Sequence, residues 1–186
     1  MARKKVTDRR ERNTAIHEAG HAVASFYLQQ RIRRATIVPD SDSLGHVKHT
    51  PLQFGSNGVF DDSLRGVARA EARILICYAG PLAERKFQPR SRWRLHGGAD
   101  FENAGELMAR LQGTDAEYNR LYAALLWRRA ELIVDLRWKD INAVADALLA
   151  HRTLDLDGVR AAIDSAYGLK PLALNRAGTH GVLAHG

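Results

Sequence analysis

The stretch His17-Glu18-x-x-His21 constrains this chain more than any other part of its sequence. On an α-helix, side chains four residues apart lie one above the other on the same face, so both imidazoles can bind one metal ion. Zinc binds neutral imidazole nitrogens, and a catalytic zinc site keeps one position open for water. Glu18 follows His17 directly and can reach such a water as a general base. The motif therefore predicts a helix that carries two zinc ligands and a base, with a third ligand supplied from elsewhere.

The residues around the motif favour a closely packed helix. Apolar and mostly small side chains recur at helical spacing on both sides of it. They are Ala15, Ile16, Ala19, Ala22, Val23 and Phe26. Gly20 costs about 1 kcal/mol relative to alanine inside a helix, so we expect another segment to approach its backbone closely. The alternative interpretation, two ordinary histidines on a core or surface helix, is less favoured in this context.

Length and composition indicate a globular protein. The 186 residues suffice for one domain with a real core, and 45% of them are hydrophobic and 26% charged. The longest apolar run, residues 74–79, is too short to span a bilayer, and no hydrophobic segment follows the basic N-terminus as in a signal peptide. The single cysteine, Cys77, excludes an internal disulfide and is expected to pack as a small apolar residue. We therefore expect a cytoplasmic protein without a membrane span.

The net charge of +7 raises the question of nucleic-acid binding. Basic residues are dense in residues 3–12, 31–34 and 85–94. No recognisable nucleic-acid module accompanies them, and no stacking aromatic residues alternate with the charges. A solvated basic surface is the favoured interpretation, and nucleic acid is an unlikely partner.

Periodicity predicts a mainly α fold with a small β-hairpin. The first helix is expected to begin near Thr7-Asp8, after a basic N-terminal arm of residues 1–10, and to run to about Gln30. Residues 34–39 and 44–49 are expected to form two strands joined by a turn. Such an edge strand beside a zinc site can pair with an extended peptide. His46 and His49 have a spacing that suits strand faces, so they are expected to be exposed rather than metal-bound.

Further helices are predicted after residue 60 of the chain. One is capped by residues 61–63, and Pro81 is expected to kink it or to restart it. Residues 89–98 are expected to form a basic loop. Another helix begins at 114–115 and two more precede residue 168. We expect one domain over residues 1–168 and a mobile tail over residues 169–186.

The third metal ligand is not determined by local pattern alone. In Gly97-Gly98-Ala99-Asp100, two glycines allow close backbone approach just before a helix begins. Asp100 is therefore a candidate ligand, although it could equally be a plain helix N-cap. Glu84 and Glu102 are rival candidates.

The chain resembles the zinc peptidase domain of the FtsH family of ATP-dependent membrane proteases over about residues 10–166. Four stretches carry the resemblance in the family's order, and only the zinc motif is specific alone. They are residues 14–23, the strand pair 35–39 and 44–47, residues 79–84 and residues 98–104. Residues 144–159 also resemble the family's closing helices.

The resemblance implies that Asp100 is the third zinc ligand, next to His17 and His21, and that Glu18 is the general base. It implies a helical metallopeptidase domain with a sheet edge beside the zinc, acting on extended or unfolded polypeptides. The family's ATPase module and membrane helices are not found here, so we expect a separate ATPase or homo-oligomer as partner. The segment before Asp100 is about one residue shorter than in the family, and proline at position 81 is unusual there.

A second hypothesis is a binding or regulatory domain that keeps the peptidase fold without turnover. Such a domain could use its basic surface to contact an acidic partner or nucleic acid. The intact Glu18 argues against it, since a pure binding domain has no need of that carboxylate.

Overall fold

The computed structural model describes residues 2–39, 46–49 and 61–169, and it confirms a mainly α fold with a small sheet. Seven helices and three strands lie within these residues. In chain order they are α1 (Ala2–Tyr27), β1 (Ile32–Thr36), β2 (His46–His49), α2 (Leu64–Phe87), α3 (Trp93–His96), α4 (Gly98–Leu111), α5 (Ala116–Leu136), α6 (Trp138–His151), β3 (Thr153–Leu154) and α7 (Leu156–Ala166). The expected mobile tail lies, apart from Leu169, outside the described residues, as do the side chains of His46 and His49.

Helix α1 begins at Ala2, so the predicted start near Thr7-Asp8 was wrong, and the basic arm forms its first turns. Lysine, arginine and glutamate are good helix formers, and no glycine or proline precedes Gly20 to stop the helix from extending backwards. Its C-terminus is a left-handed turn, with Gln29 at φ 55°. The amide of Gln30 donates to the carbonyl of Ser25 there at 2.9 Å, as in a Schellman motif.

Helices α1 and α2 pack against each other at Gly20. A Cβ atom on Gly20 would lie 2.6 Å from the carbonyl oxygen of Ala79 and 2.8 Å from the Cβ of Ala83. The expected close approach to Gly20 is therefore confirmed, and it is helix α2 that makes it. Only glycine allows the two backbones to come this near while the metal-binding motif stays on the shared face.

Helix α2 runs without interruption through Pro81, so the predicted restart was wrong. Proline removes one backbone donor and disfavours a helix interior, but packing can override this preference. Pro81 is buried, and a Cβ on Gly97 would lie 2.4 Å from its ring. The proline thus fits closely against the turn that precedes α4. The N-cap prediction is confirmed, since the hydroxyl of Ser63 accepts from the amide of Gly66 at 3.2 Å.

The small sheet has the order β2-β1-β3, with both pairs antiparallel. The predicted hairpin is confirmed, and within it Ala35 lies opposite Val47. Strand β1 begins two residues earlier than expected and ends at Thr36. The third strand was not predicted, because Thr153–Leu154 is only two residues long and has no periodicity to read. Within the described residues, β2 is one of the two edge strands of the sheet, and it contacts α1.

The remaining helices complete one core around α1 and α2. The expected basic loop at residues 89–98 contains the short helix α3, which leads directly into α4. Asp115 caps α5 as predicted, accepting from the amide of Tyr118 at 2.8 Å. Cys77 is half-buried against the core, and burial raises the pKa of its thiol to about 12. None of the helices in the described ranges is both long and apolar enough to cross a bilayer.

Candidate metal centre

His17, His21 and Asp100 come together on the face that α1 shares with α2 and α4. The Nε2 atoms of the two histidines lie 3.1 Å apart. Nε2 of His17 is 3.1 Å from Oδ2 of Asp100, and Nε2 of His21 is 3.3 Å from Oδ1. One ligand atom from each residue lies within 4.8 Å of the others. The structure thus brings the three predicted ligand residues together.

The outer nitrogen of each imidazole already has an acceptor. Nδ1 of His21 lies 2.8 Å from the carbonyl oxygen of Ile76, which can only accept, so this nitrogen carries the proton. Nδ1 of His17 lies 3.2 Å from Oε2 of Glu84 and donates to that carboxylate. In neutral imidazoles both Nε2 atoms then present lone pairs toward Asp100.

This donor set fits zinc. Two ligands at about 2.0–2.1 Å from zinc lie about 3.3 Å apart when the coordination is tetrahedral. The separations of 3.1, 3.1 and 3.3 Å between the inner atoms of His17, His21 and Asp100 match that value. Two neutral imidazoles and one carboxylate are also ligands that zinc commonly takes.

Glu84 has a role that the sequence did not reveal. It was a rival candidate for the third ligand, but its carboxylate contacts Nδ1 of His17, on the side of the ring that faces away from Asp100. Its Oε1 accepts from Nδ2 of Asn13 and from Nδ1 of His96, each at 2.7 Å. Burial raises the pKa of Glu84, but hydrogen bonds, led by those from His17 and Asn13, lower it to about 2. An ionised carboxylate therefore orients His17. The other rival, Glu102, is exposed on α4.

Asp100 is the third residue of α4, within its first turn. The alternative interpretation as an N-cap is therefore wrong, since Gly97 occupies that position. The positive end of the helix dipole favours an anion here. Burial raises the pKa of Asp100, but the charges and hydrogen bonds of His21 and His17 lower it well below its usual range.

Glu18 is buried beside the two histidines, with 4% of its surface exposed. Its Oε2 has no hydrogen-bond partner within the described part of the chain. Burial raises the pKa of this carboxyl group. A buried carboxylate with a free oxygen and a raised pKa has the properties expected of a general base.

The site as a whole favours positive charge. Burial alone would lower the pKa of His17, but its hydrogen bonds with Asp100 and Glu84 raise it to about 10. The pKa of His21 is also raised, since the charge of Asp100 outweighs the effect of burial. Buried carboxylates need a compensating cation. Either protons or a metal ion can supply this charge, and metal binding to such a site releases the protons.

Helix α2 also shapes the space around His21. A Cβ atom on Gly80 would lie 2.3 Å from Nε2 of His21. Any side chain at position 80 would therefore displace the ring. The site therefore requires glycine at position 80, because the imidazole of His21 occupies the space that a side chain there would need.

An aromatic cluster fixes the start of α4, and sequence reasoning did not find it. Phe101, next to Asp100, lies 6.3 Å from the ring of Trp93 and 6.2 Å from that of Trp127, centroid to centroid. The ring of Tyr78 in α2 packs edge-to-face against that of Trp127, with their centroids 5.1 Å apart. Such contacts between aromatic rings add to the burial energy. They tie α2, α3, α4 and α5 together one residue away from Asp100.

The chain is similar in sequence to known zinc metalloproteases. The model of peptidase family M41 matches residues 4–111. The ATP-dependent zinc metalloprotease YME1L1 of Rattus norvegicus is 24% identical over 178 residues, covering 81% of this chain and 24% of the relative. The ATP-dependent zinc metalloprotease FtsH of Myxococcus xanthus is 25% identical, covering 83% of this chain and 29% of the relative. The chain thus spans about a quarter of the length of these curated relatives.

Proposed function

The chain belongs to peptidase family M41, and on that premise we propose that it is a zinc-dependent endopeptidase. In this proposal His17, His21 and Asp100 are the zinc ligands and Glu18 is the general base. The family match and the zinc metalloprotease relatives support a metalloprotease-type domain. The boundaries we propose for it are residues 1–168.

One observation carries the proposal. The three candidate ligands lie within 4.8 Å of one another, next to a buried glutamate with an unpartnered oxygen. The ligand atoms point inward because Glu84 and the Ile76 carbonyl hold the outer nitrogens of the histidines. A purely structural helix pair would not need this arrangement.

The residues divide the work of peptide hydrolysis among them. Bound zinc would supply Lewis-acid polarisation of the scissile carbonyl and lower the pKa of a water to about 7. Glu18 accepts the proton of the attacking water at its free oxygen and then donates it to the leaving amine nitrogen. Glu84 and the Ile76 carbonyl keep His17 and His21 oriented throughout.

The substrate that fits this site is an extended polypeptide. In the described residues, strand β2 is one of the two edge strands of the sheet and contacts the motif helix α1. An unpaired strand edge binds extended chains through backbone hydrogen bonds. We therefore propose that extended or unfolded segments align along His46–His49.

The relatives are named as ATP-dependent proteases. We therefore propose that an ATPase delivers unfolded polypeptide to this domain, and that the domain acts as a homo-oligomer or with such a partner. A cytoplasmic location is proposed because a single cysteine suits a reducing compartment.

Proteolysis by the Glu18→Gln variant tests this function. Wild-type protein with one equivalent of zinc is expected to cleave an unfolded substrate such as reduced, carboxymethylated lactalbumin. Glu18→Gln should bind zinc equally well and lose at least about a hundredfold in rate, because it cannot accept the proton. Glu102→Gln makes the same chemical change at an exposed position and should keep full activity. Equal rates in wild type and Glu18→Gln would contradict the enzyme and favour the binding domain.

A further inference from the structure

The face of α2 that contacts His17 and His21 carries further polar residues toward the N-terminus of the helix. Arg73, Cys77, Gly80 and Glu84 are spaced four, three and four residues apart, so they lie along one face of the helix. Glu84 contacts His17 and Gly80 lies against His21. Cys77 and Arg73 are therefore the next groups along the same face, toward the N-terminus of α2.

Arg73 lies about two turns of α2 from the metal centre. The metal-facing Nε2 of His21 lies against Gly80, seven residues from Arg73. At 1.5 Å per residue the two positions are about 10.5 Å apart along the helix axis. The charges of Asp100 and Arg73 both affect the pKa of Cys77, which lies between these two positions. An extended peptide covers the distance in about three residues.

The guanidinium group of Arg73 is underpaired. Its Nη1 is buried and has no hydrogen-bond partner in the part of the chain that the structure describes. Other arginines on nearby helices have carboxylate partners: Arg85 binds Glu131 at 2.8 Å and Arg129 binds Glu71 at 3.0 Å. A buried donor without an acceptor is costly, and a charged one more so. The residue as a whole is only partly buried.

Cys77 does not supply the missing negative charge. Burial raises the pKa of its thiol to about 12, so the group is neutral near pH 7. It lies between Arg73 and Gly80 on this face of α2. Within the described residues no acceptor pairs with Nη1 of Arg73, so a bound molecule can supply the missing negative charge.

We propose that Arg73 binds a carboxylate of the polypeptide substrate about three residues from the scissile bond and thereby determines specificity. A guanidinium binds a carboxylate through two parallel hydrogen bonds, which favours it over a neutral amide. The carboxylate belongs either to an aspartate or glutamate side chain or to the C-terminus of the peptide. The inference rests on the proposed function, because it places the substrate beside the metal centre.

Binding to an inactive variant separates this inference from catalysis. Fluorescence anisotropy measures the Kd of labelled decapeptides for zinc-loaded Glu18→Gln protein. The peptides form matched sets, with glutamate or glutamine at one position and with a free or amidated C-terminus. A preference of about tenfold or more for one carboxylate is expected, as for a hydrogen bond to a charged group.

Two further variants, each combined with Glu18→Gln, identify the responsible group. Arg73→Gln should bring the carboxylate preference to about one, while Arg73→Lys should retain part of it, since charge remains but the two-pronged geometry is lost. Arg69→Gln removes the same charge from an exposed position one turn further from the site, and it should keep the preference. Circular-dichroism melting confirms that each variant is folded.

The outcomes are distinct. A preference for a glutamate side chain or for a free C-terminus supports the inference and identifies the source of the carboxylate. No preference in the Arg73-containing protein overturns it, as does an unchanged preference in Arg73→Gln or an equal loss in Arg69→Gln. A preference that depends on Arg73, in a chain whose wild type cleaves no peptide, would overturn the proposed peptidase function and the role of Arg73 in cleavage specificity, while the carboxylate-binding site itself would stand.

Discussion

Oε2 of Glu84 lies 3.2 Å from Nδ1 of His17, so a carboxylate from α2 holds an imidazole of α1 from behind. The other oxygen of the same carboxylate accepts from Asn13 and His96. Glu84 of α2, held by Asn13 of α1 and His96 of α3, thus fixes Nδ1 of His17. This arrangement makes the coordinating nitrogen of His17 more basic and keeps it aimed at Asp100.

Replacing Glu84 should weaken zinc binding without removing a ligand. Glu84→Gln keeps the size of the side chain but loses the charge that orients His17, so we expect the Kd for zinc to rise by about 10- to 100-fold. Competition with a chromophoric chelator measures this Kd. Glu102→Gln, which is exposed on α4, serves as the control and should bind zinc like the wild type. A Glu84→Gln variant with unchanged zinc affinity would show that Glu84 has only a structural role.

Adding one methyl group at position 80 should disrupt the site. The new Cβ in Gly80→Ala would lie 2.3 Å from Nε2 of His21, so the ring has to move and zinc binding should fall sharply. Gly105→Ala is the matched control, since no described atom lies within 4 Å of its Cβ and the residue is inside α4. That control should instead stabilise the protein by about 0.5–1 kcal/mol. Normal zinc stoichiometry in Gly80→Ala would contradict the geometry described for His21.

The aromatic cluster should matter both for stability and for Asp100. Trp127 contacts Trp93, Phe101 and Tyr78, so Trp127→Ala should lower the free energy of unfolding by about 3 kcal/mol, the lower end of the range for such truncations because the ring is half-buried. It should also weaken zinc binding by loosening the start of α4. Urea denaturation measures the first effect and chelator competition the second. Trp127→Phe should show a smaller loss in both, and equal losses for the two variants would argue against ring packing as the cause.

Acid should weaken the contact between α2 and α5. Hydrogen bonds from Arg85 and Arg128 lower the pKa of Glu131 to about 2. A lowered pKa in the folded state stabilises the protein above the unfolded value of about 4.5, and this contribution disappears as the pH falls toward 2. Glu131→Gln should therefore unfold at lower urea concentration than the wild type at pH 7 in the presence of a chelator. The difference should shrink between pH 4.5 and pH 2.5, and a constant difference across that range would contradict the assignment.

The motif helix and its partners illustrate what sequence can predict. The spacing of His17 and His21 and the small residues around Gly20 are local properties, so the helix, the inward histidines and the close approach could be anticipated. The choice of Asp100 over Glu84 could not be made from local pattern, since both are acidic residues that follow a glycine within four positions. It depends on which face of α2 meets α1, and this is a matter of tertiary packing.

Helix α5 shows the same limit in another way. The spacing of its apolar residues predicts the helix correctly. However, Leu121 and Leu125, which show this spacing most clearly, are 54% and 55% exposed. The face that packs on the core carries Leu126, Ala130 and Val134. Apolar residues occupy both faces, so periodicity alone does not identify the buried one. Strand β3 was not predicted, because a strand of two residues is too short to show an alternating pattern of apolar and polar residues.

Zinc content measured by mass spectrometry tests whether His17, His21 and Asp100 form a metal centre. We expect about one zinc per chain in the wild type after reconstitution and dialysis, and a loss of that zinc in both His21→Ala and Asp100→Ala. Glu102→Ala should keep it, because this side chain is exposed and lies away from the ligand set. A wild type that retains no zinc would contradict the metal centre itself, and zinc retained in Asp100→Ala would contradict Asp100 as the third ligand.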